Sequence, residues 1–250
     1  MQDILLNLEN QIMKKGGFVN AHAHLDRANT VGYFSKEEQY KFLKEKWKLV
    51  DRIKKQTHYW GYKVRIDDAL TNQINLGTTA VCSFIDIDDI VSKKAILAAR
   101  EVQLERTDIS FLTACQTLKG VLDPTQELLI RNSLIHVNII GSLPGADKGR
   151  EEDHLDKVMK WSKKYKKRLH VHVDQLNSPA EKETELLARK TMEHGIEGNR
   201  NGGDDEGLMH PFGFRQHARK RQCGGQEREG QTMNQTQAGQ RYGRCIKGRG

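Results

Sequence analysis

The chain has 250 residues, a formal net charge of +8 and 36% apolar residues, long enough for one large α/β domain but lean in the material of a core. No apolar run approaches the roughly 20 residues that cross a bilayer, which excludes a helical membrane protein and leaves a soluble chain as the expectation. The four cysteines (Cys82, Cys115, Cys223 and Cys245) show no C-x-x-C spacing and follow no signal peptide, as expected of a reducing, cytoplasmic setting.

Met1 to Lys15 reads as an amphipathic lead-in that Gly16-Gly17 breaks before a first strand. Ser35 and Glu38 form a capping-box pattern that starts a helix, with Phe42, Leu43, Trp47, Val50 and Ile53 at helical spacing facing the sheet. A second helical pattern runs from Val64 to Leu76 and stops at Gly77, and Thr78 to Ile85 is strand-like. The cycle repeats: helix over Ile90 to Glu105, strand over Ile109 to Cys115, and a helix over Thr125 to Arg131 that Asp123-Pro124 caps. Ile135 to Ile140 is the fourth strand, Glu151 to Lys166 the next helix, and Leu169 to Val173 the fifth strand. Ser178-Pro179 with Glu181 then caps a helix running to Gly195.

Strict strand–helix alternation argues for a parallel sheet with helices outside. Five units at this pace match part of a (β/α)8 TIM-type barrel, which typically takes about 250 residues. The remaining stretch does not continue the pattern. From Asn199 to Gly250 there is no valine, one leucine (Leu208) and one isoleucine (Ile246), yet 11 of the 22 glycines lie there. Such a segment cannot bury enough apolar surface to offset the entropy of ordering it. The expected organisation is therefore a lead-in over 1–16, a partial barrel over 17–198 and a disordered basic tail over 199–250. The tail holds ten Lys/Arg against five Asp/Glu, so +5 of the charge belongs to it and +3 to the body.

Two stretches carry chemistry. The first strand ends in Asn20-Ala21-His22-Ala23-His24-Leu25-Asp26, and strand alternation points both histidines to one side, where they can share a metal ion. Alone, such a pair is more often two polar side chains on a wet face. A similar run, Arg168-Leu169-His170-Val171-His172-Val173-Asp174-Gln175, ends the fifth strand and makes a shared site the better reading. Strand C-terminal ends are where parallel barrels build active sites.

On Gly17 to Asp26 and His172-Val173-Asp174-Gln175, the first 198 residues resemble the front of an amidohydrolase-superfamily metal hydrolase of the cytosine-deaminase-like branch. The resemblance implies that His22, His24 and His172 bind one divalent metal, zinc or iron, and that a metal-activated water attacks a ring or amide carbon bearing nitrogen. It implies hydrolysis of C–N bonds other than peptide bonds, on a small nitrogen heterocycle or cyclic amide. Gln116, after the third strand, takes the place of a substrate-binding glutamine, a role its paired donor and acceptor suit; a polar loop cap is the competing reading. Gln175 stands where cytosine deaminases carry a proton-shuttling glutamate, and an amide cannot titrate. That leaves Gln175 as a substrate contact and Asp174 as the nearest carboxylate for catalysis, with helix capping the favoured role for Asp174.

The family's sixth-strand histidine and eighth-strand aspartate have no counterpart after Gly198: His210 and His217 lie in unpatterned sequence, and Asp204-Asp205-Glu206 reads as a solvated cluster. Activity is accordingly expected to be impaired. His58, His136, His154 and His194 are assigned to surfaces and helix ends, and His170 to a layer beneath His172. Codons allowed for Asn199 to Gly203, read one nucleotide later, can encode Val-Thr-Ala-Val, so a frame-shifted or truncated coding sequence and a natural tail both remain open. A competing function is a non-catalytic protein whose Gly/Arg/Gln-rich tail binds RNA or another polyanion. The tail's few aromatics, Phe212, Phe214 and Tyr242, argue against nucleic acid.

Overall fold

The computed structural model describes residues 2–41, 43–175 and 178–196. Its frame is a five-stranded, all-parallel sheet in sequential order: β1 (Phe18–Ala23), β2 (Thr78–Asp86), β3 (Ser110–Gln116), β4 (Ile139–Ser142) and β5 (Arg168–Val171). Around it run α1 (Gln2–Lys14), α2 (Lys36–Gln39), α3 (Leu43–Gln56), α4 (Tyr59–Asn75), α5 (Lys94–Glu105), α6 (Pro124–Ser133), α7 (Glu151–Tyr165) and α8 (Glu183–Glu193). Sequential order with a helix in each crossover curls the sheet into part of a TIM-type barrel, as the alternation predicts.

Period-2 alternation assigns the two faces. Val81, Ile85, Phe111, Cys115, Ile140, Leu169 and Val171 point outward, into the main core shared with Tyr62, Ile66 and Leu70 of α4, Ile96 of α5 and Met159 of α7. Burying each such aliphatic side chain contributes about 1.5–3 kcal/mol relative to exposure. Cys82, Phe84, Ala114 and Ile139 form a smaller cluster on the other, concave face. Gly141 also lies there, because a Cβ would sit 1.7 Å from the Cys115 carbonyl oxygen and 2.7 Å from the Phe84 ring. Phe84 thus takes the space that a fourth-strand side chain would have filled.

Local signals set several boundaries. The Asp123 carboxylate accepts the N–H groups of Thr125 and Gln126 at 2.9 and 3.0 Å, with Pro124 at the first helical position, which starts α6 where the sequence places it. The Ser35–Glu38 capping box forms with both bonds, but it opens only α2; a separate helix, α3, begins at Leu43. The buried face of α3 includes Leu49, Ile53 and Lys54, with Trp47 and Val50 half-buried. Phe42 lies outside the described residues.

Four further starts are corrected: α4 begins at Tyr59, not Val64, and α5 at Lys94, not Ile90. The fourth strand begins at Ile139, not Ile135, since Leu134–His136 is a 3-10 turn and pairing with β3 starts where the Asn138 N–H donates to the Thr113 carbonyl. The last helix begins at Glu183. Ser178 and Glu181 instead close a turn, the Glu181 carboxylate accepting the Ser178 N–H at 3.0 Å. The reading of 199–250 as a tail falls outside the described residues.

Candidate active site

His22 ends the concave face of β1, and His24 lies one residue beyond the strand. His172 follows β5, its N–H donating to the Ser142 carbonyl at 2.9 Å so that the ladder holds it in place. The curl of the sheet brings these two ends together. His22 Nε2 stands 3.1 Å from His172 Nε2, and one nitrogen of each of His22, His24 and His172 lies within 4.8 Å of the others. Phe84 packs against the group, its ring centroid 4.8 Å from His22, 5.5 Å from His24 and 4.4 Å from His172. His170 is buried, 4.7 Å from Phe84 and stacked on His172 at 6.1 Å.

Burial sets the charge state of the cluster. It lowers the pKa of His22. In His24, burial together with the charges of Arg27, His22 and His170 lowers it to about 3. In His172, burial and the three other imidazoles lower it to about 2. At neutral pH the rings are uncharged, and uncharged imidazoles offer lone pairs to a cation. At the metal–nitrogen distance of about 2.0–2.1 Å of a tetrahedral zinc site, ligand nitrogens stand about 3.3 Å apart. The His22–His172 spacing fits that geometry, so the donor set suits a divalent metal of imidazole preference.

Gln116 ends β3 on the concave face, nearly fully buried, and its Oε1 has no hydrogen-bond partner among the described residues. Gln175 lines a cavity of about 850 Å³ with Trp47, Leu143, Gly145, Glu183 and Leu186. Asp174 has a left-handed backbone, φ 50°. Its carboxylate accepts the Glu183 N–H at 3.0 Å and the Thr184 hydroxyl, while the Glu183 carboxylate accepts the Asp174 N–H at 2.9 Å. The capping role expected for Asp174 is therefore the one it takes, at the start of α8.

Sequence reasoning missed a buried ionic cluster beside the histidines. Asp86 and Asp88, at and just after the end of β2, are each 1% exposed, and Lys54 of α3 reaches them at 2.8 and 2.6 Å. Asp26 accepts the Asp86 N–H at 2.9 Å, and burial, then the Asp86 charge, raises its pKa to about 7. Arg27 Nη2 lies 2.6 Å from His24 Nδ1. The available signal was Asp86-Ile87-Asp88 directly after an apolar strand, with a lysine on the apolar face of α3.

His154, assigned to a helix end, is at the start of α7 but fully buried: Nε2 meets Ser142 Oγ at 2.8 Å and Nδ1 meets Asp147 Oδ2 at 2.6 Å. This Ser–His–Asp chain sits with Ser142 and His154 fully buried and joins β4 to α7, so it locks the fold and offers no nucleophile to substrate. His194 ends α8 and binds Asp156 at 2.8 Å; His58 is exposed and His136 half-buried.

A curled (β/α) sheet with three imidazoles converging at its strand ends defines the class: a protein with part of a TIM-type barrel and a histidine cluster at the strand ends. No family model matches the chain. An uncharacterised protein of Haemophilus influenzae is 40% identical over 200 residues, covering 76% of this chain and 71% of that protein. N-isopropylammelide isopropyl amidohydrolase of Pseudomonas sp. is 26% identical over 192 residues, 73% of this chain and 47% of the enzyme. Among solved structures, 5-methylcytosine deaminase from Klebsiella pneumoniae liganded with phosphonocytosine superposes with a TM-score of 0.67 at 20% identity, over 73% of this chain and 45% of that one. N-isopropylammelide isopropylaminohydrolase from Burkholderia multivorans gives 0.60 at 17% identity, over 73% and 46%. The chain thus spans about half the length of these enzymes. It belongs to one family with the Haemophilus protein, and it shares its fold with the deaminase and amidohydrolase structures.

Proposed function

We propose that this chain carries the first half of the active site of a metal-dependent hydrolase acting on C–N bonds other than peptide bonds, in a small nitrogen heterocycle or cyclic amide. The observation that supports it best is the meeting of His22, His24 and His172 from strands 150 residues apart. The similarity to a deaminase and to amidohydrolases supports the reaction class.

In this reading His22, His24 and His172 hold one zinc or iron ion. Such an ion supplies an activated water and neutralises charge that develops on the substrate. Gln116, with its unsatisfied buried Oε1, donates to and accepts from the edge of the substrate ring, and Gln175 contacts the substrate from the cavity wall. Gln175 cannot move a proton, and Asp174 is held by its bonds to α8. The activity of this chain is accordingly expected to be low, because neither Gln175 nor Asp174 takes over the proton transfer, a loss that typically costs about 10²–10⁴-fold. No helix among the described residues is long and apolar enough to cross a membrane, and the free, buried thiols of Cys82 and Cys115 suit a cytoplasmic protein.

Metal analysis tests the reading. The purified protein is expected to bind one equivalent of zinc or iron, and His22→Ala and His172→Ala to lose it. Metal content unaffected by both substitutions would sink the shared site.

A further inference from the structure

His172 is held in the cluster by its backbone, whose N–H donates to the Ser142 carbonyl at 2.9 Å. What holds Ser142 therefore decides where His172 stands. The sheet does so from one side. β4 pairs with β5 as far as Ser142↔Val171, whereas its register with β3 covers Ala114↔Ile139 alone. Two residues on, the Gly141 N–H donates to Cys115 Sγ at 3.2 Å, and sulfur is a weak acceptor.

Side chains hold the other side. Ser142 Oγ meets His154 Nε2 at 2.8 Å, and His154 Nδ1 meets Asp147 Oδ2 at 2.6 Å. A carboxylate only accepts, so Nδ1 donates to Asp147 and Nε2 accepts from the Ser142 hydroxyl. Asp147 Oδ2 also accepts the Val121 N–H at 2.7 Å, which ties in the loop that follows Gln116. That loop lies close against it: Gly120, at φ +77°, leaves no room for a Cβ beside the Asp147 carboxylate. Ser142 and His154 are fully buried, so water does not compete for their bond and its loss is felt in full. One chain of contacts thus runs from the loop after β3, through the turn after β4 and the first turn of α7, to the residue whose carbonyl carries His172.

We propose that His154 is a positioning residue for the metal centre: through the Ser142 hydroxyl it fixes the carbonyl that holds His172, and so sets that imidazole against His22 and His24. The inference rests on the reading that the three histidines hold a metal. It gives the two ring nitrogens separate roles. Nε2 governs the place of His172, while Nδ1 joins the loops after β3 and β4 to each other.

The two contacts are cut separately in the full chain. His154→Asn puts an amide N–H near the place of Nδ1 and leaves nothing at Nε2, so it keeps Asp147 and loses Ser142. His154→Gln does the reverse, and Ser142→Ala removes the same contact as His154→Asn. The readouts are hydrogen exchange of the His172 amide in metal-free protein, zinc affinity, and the visible absorption of bound cobalt(II), which reports ligand geometry. In His154→Asn and Ser142→Ala the His172 amide is expected to exchange faster and the cobalt bands to shift. Zinc is expected to bind about tenfold more weakly, the lower end of what changing a group behind a metal-binding histidine costs. His154→Gln is expected to leave all three readouts at their unsubstituted values while lowering the urea midpoint. A lock that serves stability alone lowers the midpoint in every variant and moves none of the three readouts; that result overturns the proposal, and Ser142→Ala delivers it even where substitutions at His154 fail to fold. Equal disturbance by His154→Asn and His154→Gln overturns the route through Ser142. Metal binding that His172→Ala abolishes, with cobalt bands unchanged in Ser142→Ala, overturns the role of His154 and leaves the metal reading intact. No zinc or cobalt binding by the unsubstituted chain overturns the metal reading, and this role with it.

Discussion

At the scale of single residues, two positions show how closely the site is tied to the fold. Gly141 leaves room for Phe84, which packs against all four histidines of the concave face. Adding one methyl group puts it 1.7 Å from a backbone oxygen, and backbone cannot yield as a flexible side chain does. Gly141→Ala is therefore expected to destabilise the protein by about 3 kcal/mol, the upper part of the usual range for overpacking, read as a lower urea midpoint. Lys54 balances Asp86 and Asp88, all three nearly fully buried. Removing one partner of a buried pair leaves uncompensated charge and typically costs about 3–5 kcal/mol. Lys54→Met should show a loss of that order, and Lys54→Met with Asp88→Asn should recover part of it; no recovery would mean that Lys54 acts through packing alone.

At the scale of elements, α8 is fastened to the end of β5 by the reciprocal bonds between Asp174 and Glu183. Burial, opposed in part by the Asp174 N–H, raises the Glu183 pKa from 4.5 to about 7. A carboxyl raised in the folded state binds its proton more tightly there than in the unfolded chain. Its contribution to stability is complete below pH 4.5 and is lost as pH rises through 7. The histidines act in the opposite sense: their lowered values disfavour the folded state as pH falls below 6.5, so Glu183 must be isolated by comparison. Glu183→Gln is expected to gain stability relative to the unsubstituted chain between pH 4.5 and 7 and to hold a constant difference above pH 7. Urea midpoints measured across that range check it, and a difference independent of pH would refute the assignment.

At the scale of the whole molecule, β1 and β5 are the outer strands of the described sheet, and β1 has no strand partner on its outer side among the described residues. Val19 on β1 is 68% exposed, and α1 exposes Ile4, Leu5 and Leu6. Unprotected strand edges beside apolar surface template association. Concentration-dependent self-association is the expected behaviour by light scattering. A monodisperse monomer at every concentration reached would show that something covers this edge.

The sequence by itself determined the alternation of strands and helices, the helix start at Asp123-Pro124, and the candidates His22, His24 and His172, because each is a local signal: hydrophobic period, capping chemistry, or a motif on one strand end; the curl of the sheet decided that the two ends meet. The start of α8 at Glu183 was hidden because its first N–H is capped by Asp174, nine residues earlier, whereas capping patterns are sought within three or four. Lys54 reads as the polar neighbour of Ile53 until the tertiary fold sets α3 above the end of β2. His154 reads as a helix-end residue, yet packing of α7 on β4 encloses it completely. Arg27 beside His24 is likewise a matter of three-dimensional packing, since nothing in Asp26-Arg27 announces which ring nitrogen the guanidinium will face. Charges and hydrogen bonds buried between elements are decided by how those elements pack, and no periodicity along the chain records that.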